Sequence, residues 1–289
     1  MGKPVWVAQC TGKRLIRELL PVRRRESHKG DYGRVLLLCG SEGLTGAARL
    51  AAHGALRTGS GLVYLGVPQK IYPIVAAAAG SEIVFPLPCD EQGKLSLAAL
   101  EPIIDRLAHM DAVLLGPGLG QSAELTQLVC RLLSVCRVPL VLDADGINAV
   151  AAHMDVLRGS ACPVLLTPHD GEFLRLGGDP KAPDRLAEAK RLANRSHAVV
   201  LLKGSRTLIT DGLNAYVNRT GNPGLATGGS GDVLAGILVS LLGQHIMPLE
   251  AAAAAAWLHG AAADLAVQEL GEYGLIPEDV LLRLPRLLP

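Results

Sequence analysis

Aromatic residues make up only 3% of this 289-residue sequence, and its six cysteines include no CxxC pair. Cys10, Cys39, Cys89, Cys130, Cys136 and Cys162 are scattered, several inside apolar runs such as VLLLCG, where a free thiol behaves as a small hydrophobe. This usage favours a reducing cytoplasm over an oxidising compartment. An excess of one charge is also missing. Lys plus Arg number 28 against 27 Asp plus Glu, so no global field attracts nucleic acid or an anionic membrane, and any anionic ligand must be held locally. The one dense basic run, Arg23 to Arg25, reads as a solvated face. No apolar run suits a membrane: LEAAAAAAWLHGAAADLAVQEL is mostly alanine and carries Glu250, His259 and Asp264, which reads as a core helix. The stretch MGKPVWVAQCTGKRLIRELL lacks the layout of a signal peptide. Absent too are GxxxxGK[ST], a GxGxxG between strand and helix, HExxH, GxSxG and any Cys/His cluster of zinc spacing. Those absences put a P-loop NTPase out and leave the ordinary dinucleotide fingerprint, the zinc motifs and the nucleophile elbow without a match.

What is present is apolar: 49% of residues are hydrophobic, enough for one large core or two modest ones. Near-continuous apolar runs lie at 34–40, 61–68, 82–88, 111–118, 139–145, 162–169 and 198–204, followed by the weaker TLITDG and NAYVN. Helical patterns lie at about 46–58, 96–109, 122–135, 182–196, 230–243 and 248–270. Strands without alternation are buried on both faces, and βα alternation marks a mainly parallel sheet covered by helices on each side. We therefore expect a three-layer α/β/α fold in a single domain, with a hairpin over 204–218 turning at Asp211-Gly212.

Polar and glycine residues gather where the apolar runs end: Gly40 and Ser41, Gly116 to Gly120, Asp143 and Asp145, His169 and Glu172, and Lys203. Any one of these endings is a turn. All five together describe a crevice at the carboxyl ends of a parallel sheet. A sixth segment, GNPGLATGGSGDVLAGILVSL from Gly221, packs six glycines and one carboxylate, Asp232, against the start of an apolar helix. Its TGGSG turn lets successive backbone N–H groups point one way, and the helix start is suited to phosphate. The turn residues Gly229, Ser230 and Gly231 are thus a candidate anion hole. Asp232 is either an ordinary acid in the first turn of a helix or a base beside a held phosphate; the glycines favour the second.

A GxGD sequence opening a late helix is similar to the ribokinase-like superfamily. Together, HKGDYGRVLLLCGSEGLTGAARLAAHGALRTGSGLV, GPGLG, LDADGIN, LTPHDGEF, LLKGSRT and GNPGLATGGSGDVLAGIL resemble the ADP-dependent (S)-NAD(P)H-hydrate dehydratase family, in order over roughly 20–270. The resemblance implies a ribokinase-like fold over residues 1–289 without the family's optional N-terminal epimerase domain. It implies metabolite repair: phosphorylation of the hydrate hydroxyl by ADP, release of AMP, and loss of phosphate to give NADH or NADPH. Carried over by position, the hydrate falls to Ala47, Gly118, His169 and Asp232, with Asp232 catalytic, and the nucleotide to Lys203, Gly204, Ser205, Arg206, Thr207 and Gly231. Magnesium is expected to ride on the phosphates with few protein ligands; Asp143, Asp145, Asn148 and Glu172 either support it or orient neighbours. Leu225 and Gly228 stand where the family often has Met and Ala. The resemblance further implies a cytoplasmic homotetramer that works with a separate epimerase. An ATP-dependent kinase of a small alcohol is the alternative enzyme, sharing Asp232 and the glycine turn, and a nucleotide-sensing protein without turnover is the alternative outside enzymes.

Overall fold

The structure is a computed structural model that describes residues 8–289; the first seven residues of the stretch read for a targeting signal lie outside the described residues. Among the described residues, ten strands form one sheet: β1 (Gln9–Cys10), β2 (Arg34–Leu38), β3 (Leu62–Pro68), β4 (Ile83–Leu87), β5 (Ala112–Leu115), β6 (Leu140–Leu142), β7 (Val164–Leu166), β8 (Val199–Leu202), β9 (Thr207–Thr210) and β10 (Ala215–Asn218). The helices are α1 (Lys13–Leu19), α2 (Thr45–Thr58), α3 (Tyr72–Ala77), α4 (Leu100–Leu107), α5 (Ala123–Val135), α6 (Asp145–Val150), α7 (Met154–Arg158), α8 (Asp170–Arg175), α9 (Arg185–Ser196), α10 (Ser230–Gly243), α11 (Pro248–Leu270) and α12 (Pro277–Arg283).

The strand order is β1-β10-β9-β8-β7-β6-β5-β2-β3-β4. All pairings are parallel except those of β9, which runs antiparallel to both β8 and β10. The expected hairpin is therefore β9 to β10. Asp211 Oδ1 accepts from Leu213 N and Asn214 N at its turn, and Gly212 adopts φ +97°.

Side chains of each strand alternate between two cores, which is why their apolar runs are unbroken. Val35 and Leu37 join one cluster with α2, α10 and α11, while Leu36 and Leu38 join another with α4, α5 and α9. The same division holds for Leu114 against Leu115 and Leu201 against Leu202. These are the three layers that the sequence predicts.

Chain order reverses between β2 and β5: β3 and β4 extend the sheet one way, β6, β7 and β8 the other. The crevice of an open parallel sheet lies at that reversal. Helix α10 packs over β2, β5 and β6 in the first of these cores, held tightly to α2. A Cβ on Gly236 would stand 2.1 Å from Ala51 O, and one on Gly54 2.7 Å from Val233 O, so only glycine permits this approach. The alanine run of α11 is buried from Leu249 to Ala263 against α10 and the sheet. Among the described residues, no helix is long and apolar enough to cross a membrane.

Candidate active site

The strands end earlier than their apolar runs, so the polar endings sit in loops above the sheet. At the switch point, Gly40 N donates to Pro117 O at 2.8 Å and Ser41 Oγ donates to Gly118 O at 2.8 Å. These bonds join the loops after β2 and β5. Gly118 has φ +65°, and a Cβ there would lie 2.9 Å from Ala47 Cβ, so Ala47 and Gly118 face each other closely. Asp145 Oδ2 accepts from Gly120 N at 2.8 Å, and its Oδ1 accepts from Asn148 Nδ2 at 3.2 Å. Asp145 and Asn148 thus fix the glycine turn.

Further along the sheet, Asp143 is buried; its Oδ1 accepts from Thr167 Oγ1 at 2.6 Å and from Lys203 Nζ at 2.8 Å. Glu172 Oε2 lies 4.0 Å from the same ammonium. Burial lowers the Lys203 pKa, but the charges of Asp143, Glu172 and Asp232 outweigh it and hold the pKa above the ordinary value. His169 is the N-cap of α8. Its Nδ1 accepts from Gly171 N and Glu172 N at 3.0 and 3.4 Å, its own N–H donates to Glu172 Oε2 at 2.9 Å, and its Nε2 lies 3.2 Å from Glu172 Oε1. The histidine that closes LTPH is thus a helix cap, reciprocated by Glu172 as in a capping box.

The glycine turn delivers α10 to this row. Gly229 takes φ +93°, Ser230 begins the helix and Asp232 lies in its first turn. A Cβ on Gly231 would stand 3.4 Å from Lys203 Nζ and 4.0 Å from Asp143 Oδ2, so the helix start directly overlooks that ion pair. The Asp232 carboxyl is pushed up to about 7, first by burial and then by Asp143, with Lys203 opposing and Asp145 adding. Cys39, just past β2, is held as a neutral thiol by burial and by the charges of Asp232 and Asp143. Three strand endings and α10 therefore share one electrostatic environment.

A cavity of about 760 Å³ opens beside it, with Lys203, Gly204, Ser205, Thr207, Ser230 and Gly231 on its wall, and His169 at one side. Arg206 is exposed and is not on that wall; nor are Gly229, Ala47, Gly118 and Asp232. The structure thus forms two neighbouring groups, with Asp232 electrostatically coupled to both sides of the row. The cavity's far wall was not anticipated from sequence: Asn218, Thr220, Leu225, Ala256 and His259 reach it from β10, the following loop and α11. Asn222 and Pro223 also line it, and His259 enters from within the alanine-rich helix. Among the described residues, no three His, Cys, Asp or Glu side chains converge as a metal cage.

Comparison with known proteins gives concordant matches. The family profile described as NAD(P)H-hydrate dehydratase matches residues 35–286. The bifunctional NAD(P)H-hydrate repair enzyme Nnr of Moorella thermoacetica is 47% identical over 277 residues, covering 94% of this chain and 52% of that protein. The chain thus spans about half the length of such bifunctional relatives. The ADP-dependent (S)-NAD(P)H-hydrate dehydratase of Bacillus subtilis is 36% identical over 291 residues, with 99% of this chain and 98% of that protein covered. A crystal structure of the ADP/ATP-dependent NAD(P)H-hydrate dehydratase from Bacillus subtilis, co-crystallised with ATP/Mg2+, superposes with a TM-score of 0.84 at 33% identity over 97% of each chain. Hydroxyethylthiazole kinase of Pyrococcus horikoshii, 16% identical with a TM-score of 0.64, shares the fold alone.

Proposed function

The chain belongs to the NAD(P)H-hydrate dehydratase family, and from that premise we propose that it repairs the S form of NADH or NADPH hydrate at the expense of ADP. The observation that carries the reading is the position of Asp232: a carboxyl raised to about 7, in the first turn of α10, coupled to the Lys203 and Asp143 pair. A base with that pKa is matched to removing a hydroxyl proton near neutral pH.

Asp232 takes the proton of the hydrate hydroxyl, whose oxygen attacks the β-phosphorus of ADP as the bond to the AMP oxygen breaks. The N–H groups of Gly231 and Asp232 have no earlier carbonyl of their own helix and face the phosphoryl oxygens, while that of Ser230 donates to Thr227 O at 3.4 Å. Gly231 leaves the space above Lys203 open, and Lys203 supplies positive charge while Asp143 and Glu172 hold it. The phosphate ester then leaves with its C–O electrons, driven out by the ring nitrogen, and loss of a proton from the adjacent ring carbon restores the double bond. Ala47, Gly118 and His169 contact the hydrate, and Gly204, Ser205, Arg206 and Thr207 contact the nucleotide.

Magnesium fits this set of residues as an ion carried by the phosphates. Asp143, whose Oδ2 lies 4.0 Å from a Cβ built on the cavity-wall residue Gly231, and Asp232, in the first turn of α10, are the carboxylates that would hold it; Asp145, Asn148 and Glu172 orient the Gly120 turn, His169 and Lys203. The ion would offset the charge of the donor phosphates.

We further propose a cytoplasmic homotetramer, acting with an epimerase activity that interconverts the two hydrate epimers. The test is recovery of reduced-nicotinamide absorbance with NADH hydrate, magnesium and either ADP or ATP, in the wild type and in Asp232→Asn. Recovery with ADP, AMP formed in equal amount and loss in the variant support the reading. A phosphorylated alcohol formed from ATP with no hydrate turnover would replace it with the kinase reading, and nucleotide binding without any turnover with the sensor.

A further inference from the structure

Beyond the residues assigned above, His259 on α11 is buried at 8% exposure, yet it lies on the wall of the nucleotide cavity. Ser230, the first residue of α10, is buried at 7% and lies on the same wall. Neither His259 Nε2 nor Ser230 Oγ has a hydrogen-bond partner among the described residues. The two are close, since the imidazole reaches the Ser230 backbone. Burial and the Lys203 charge press the His259 pKa down to about 4, so the ring is neutral at physiological pH.

Two unpaired polar groups in one buried place are costly unless some state of the protein joins them. A neutral imidazole and a hydroxyl are complementary whichever of them donates. The Ser230 hydroxyl can turn about its own Cα–Cβ bond toward the imidazole, while the turn before it, at Thr227 and Gly228, is exposed to an arriving phosphate. His259 comes from the buried middle of α11, where its neighbour Gly260 is pressed on Thr220: a Cβ there would stand 2.4 Å from Oγ1. The pair thus meets at the start of the helix that carries Asp232.

Resting on the dehydratase reading, we propose that His259 is a positioning residue for phosphoryl transfer: its imidazole bonds the Ser230 hydroxyl when a nucleotide phosphate docks on the Gly229 to Gly231 turn, and so fixes the N–H groups of α10 and the Asp232 carboxylate. The chemistry recognised is a nucleoside diphosphate, and His259 acts on it through Ser230 without touching it.

The experiment compares the full chain with His259→Ala, His259→Gln, Ser230→Ala and the His259→Ala/Ser230→Ala double variant. Its readouts are single-turnover AMP formation, ADP Kd by calorimetry and Tm. His259→Ala is expected to slow AMP formation about 30- to 100-fold, the scale of a small misplacement of catalytic groups, while ADP Kd changes by less than about threefold. His259→Gln, which keeps an acceptor and a donor, restores the rate to within about fivefold. Ser230→Ala loses as much as His259→Ala, and the double variant loses no more than either single one. Multiplying losses in the double variant would overturn the proposal. So would equal slowing by Ala and Gln with equal loss of Tm, which marks packing, or a loss confined to ADP Kd, which marks direct nucleotide contact. Hydrogen exchange over residues 227–234 separates this from the reaction itself: ADP should protect the segment in wild type and in His259→Gln but not in His259→Ala. Failure of wild type to dehydrate the hydrate, with that protection pattern intact, would sink the function and leave the positioning role; equal protection in all three proteins would sink the positioning role whatever the activity.

Discussion

Lys203 Nζ stands 2.8 Å from Asp143 Oδ1, with Asp143 almost wholly enclosed and Lys203 retaining one-fifth of its side-chain exposure. The two residues are 60 positions apart, on the loops after β8 and β6, and their pairing fixes both loops at one distance. A buried pair of this kind costs more to break than to replace. Lys203→Ala leaves Asp143 with only Thr167 as partner and is expected to cost about 3 kcal/mol in urea unfolding, together with most ADP affinity. Asp143→Asn/Lys203→Met removes both charges and should regain most of the lost stability while AMP formation stays absent. Urea melts and ADP calorimetry on the three proteins check this; a double variant as unstable as Lys203→Ala would show that the pair is not the cause.

Asp232 carries a sign that can be measured. Its carboxyl is raised from 3.8 to about 7 in the folded chain. Between those values the folded state binds more protons than the unfolded one, so stability from this group is present at low pH and is lost as pH rises through the folded value. Asp232→Asn removes that cost. The variant should melt higher than wild type at pH 8, on the order of 2–4 °C for each kcal/mol relieved, with a smaller gap at pH 5. Activity runs the other way. Wild-type kcat/KM should climb with pH through about 7 as the base ionises, while Asp232→Asn loses about 1000-fold or more with ADP Kd little changed. A variant that is inactive yet no more stable at pH 8 would mean that the carboxyl is not charged at a cost.

Lys203, Asp143 and Asp232 illustrate what was and what was not legible in the sequence. Unbroken runs such as RVLLL revealed β strands buried on both faces because each side chain meets a core whichever way it points. The start of α10 was legible because glycine spacing, an acid and an apolar helix all lie within a dozen residues. The pairing of Lys203 with Asp143 was not, since it depends on β8, β7 and β6 lying side by side. His259 was hidden for the same reason: in sequence it is a polar break in an alanine run, and only the packing of α11 on α10 brings it to Ser230. Short elements such as α6 and α8 were absorbed into loops, being six residues each with no full apolar period.

His169 combines a capping bond with a place on the cavity wall, and substitution can separate the two. His169→Ala loses the acceptor for Gly171 N and Glu172 N and should cost about 1 kcal/mol, typical of a lost N-cap. Asparagine caps well, so His169→Asn should melt within a degree or two of wild type. If His169 contacts the hydrate, both variants raise the KM for NADH hydrate about tenfold or more, whereas a role limited to capping leaves His169→Asn near wild type in both measurements.

Gly231 and Gly118 make opposite predictions from the same added methyl. Gly231 sits in the first turn of α10 with ordinary helical φ, and an added Cβ meets nothing nearer than Lys203 Nζ at 3.4 Å. Alanine there is compatible with the backbone and should stabilise the fold by about 0.5 kcal/mol. The methyl nevertheless stands over the ammonium where the transferring phosphoryl group must lie, so AMP formation should fall by about 100-fold or more. Gly118 holds φ +65°, and alanine there meets Ala47 Cβ at 2.9 Å and Leu44 O at 3.1 Å. Its cost falls on the fold, about 1–2 kcal/mol from the backbone conformation alone, and then on hydrate KM as Ala47 is displaced. Tm, AMP formation and hydrate KM for the two variants decide the matter. Gly231→Ala that is stable and fully active would remove the phosphoryl group from above Lys203, and with it the proposed direction of attack.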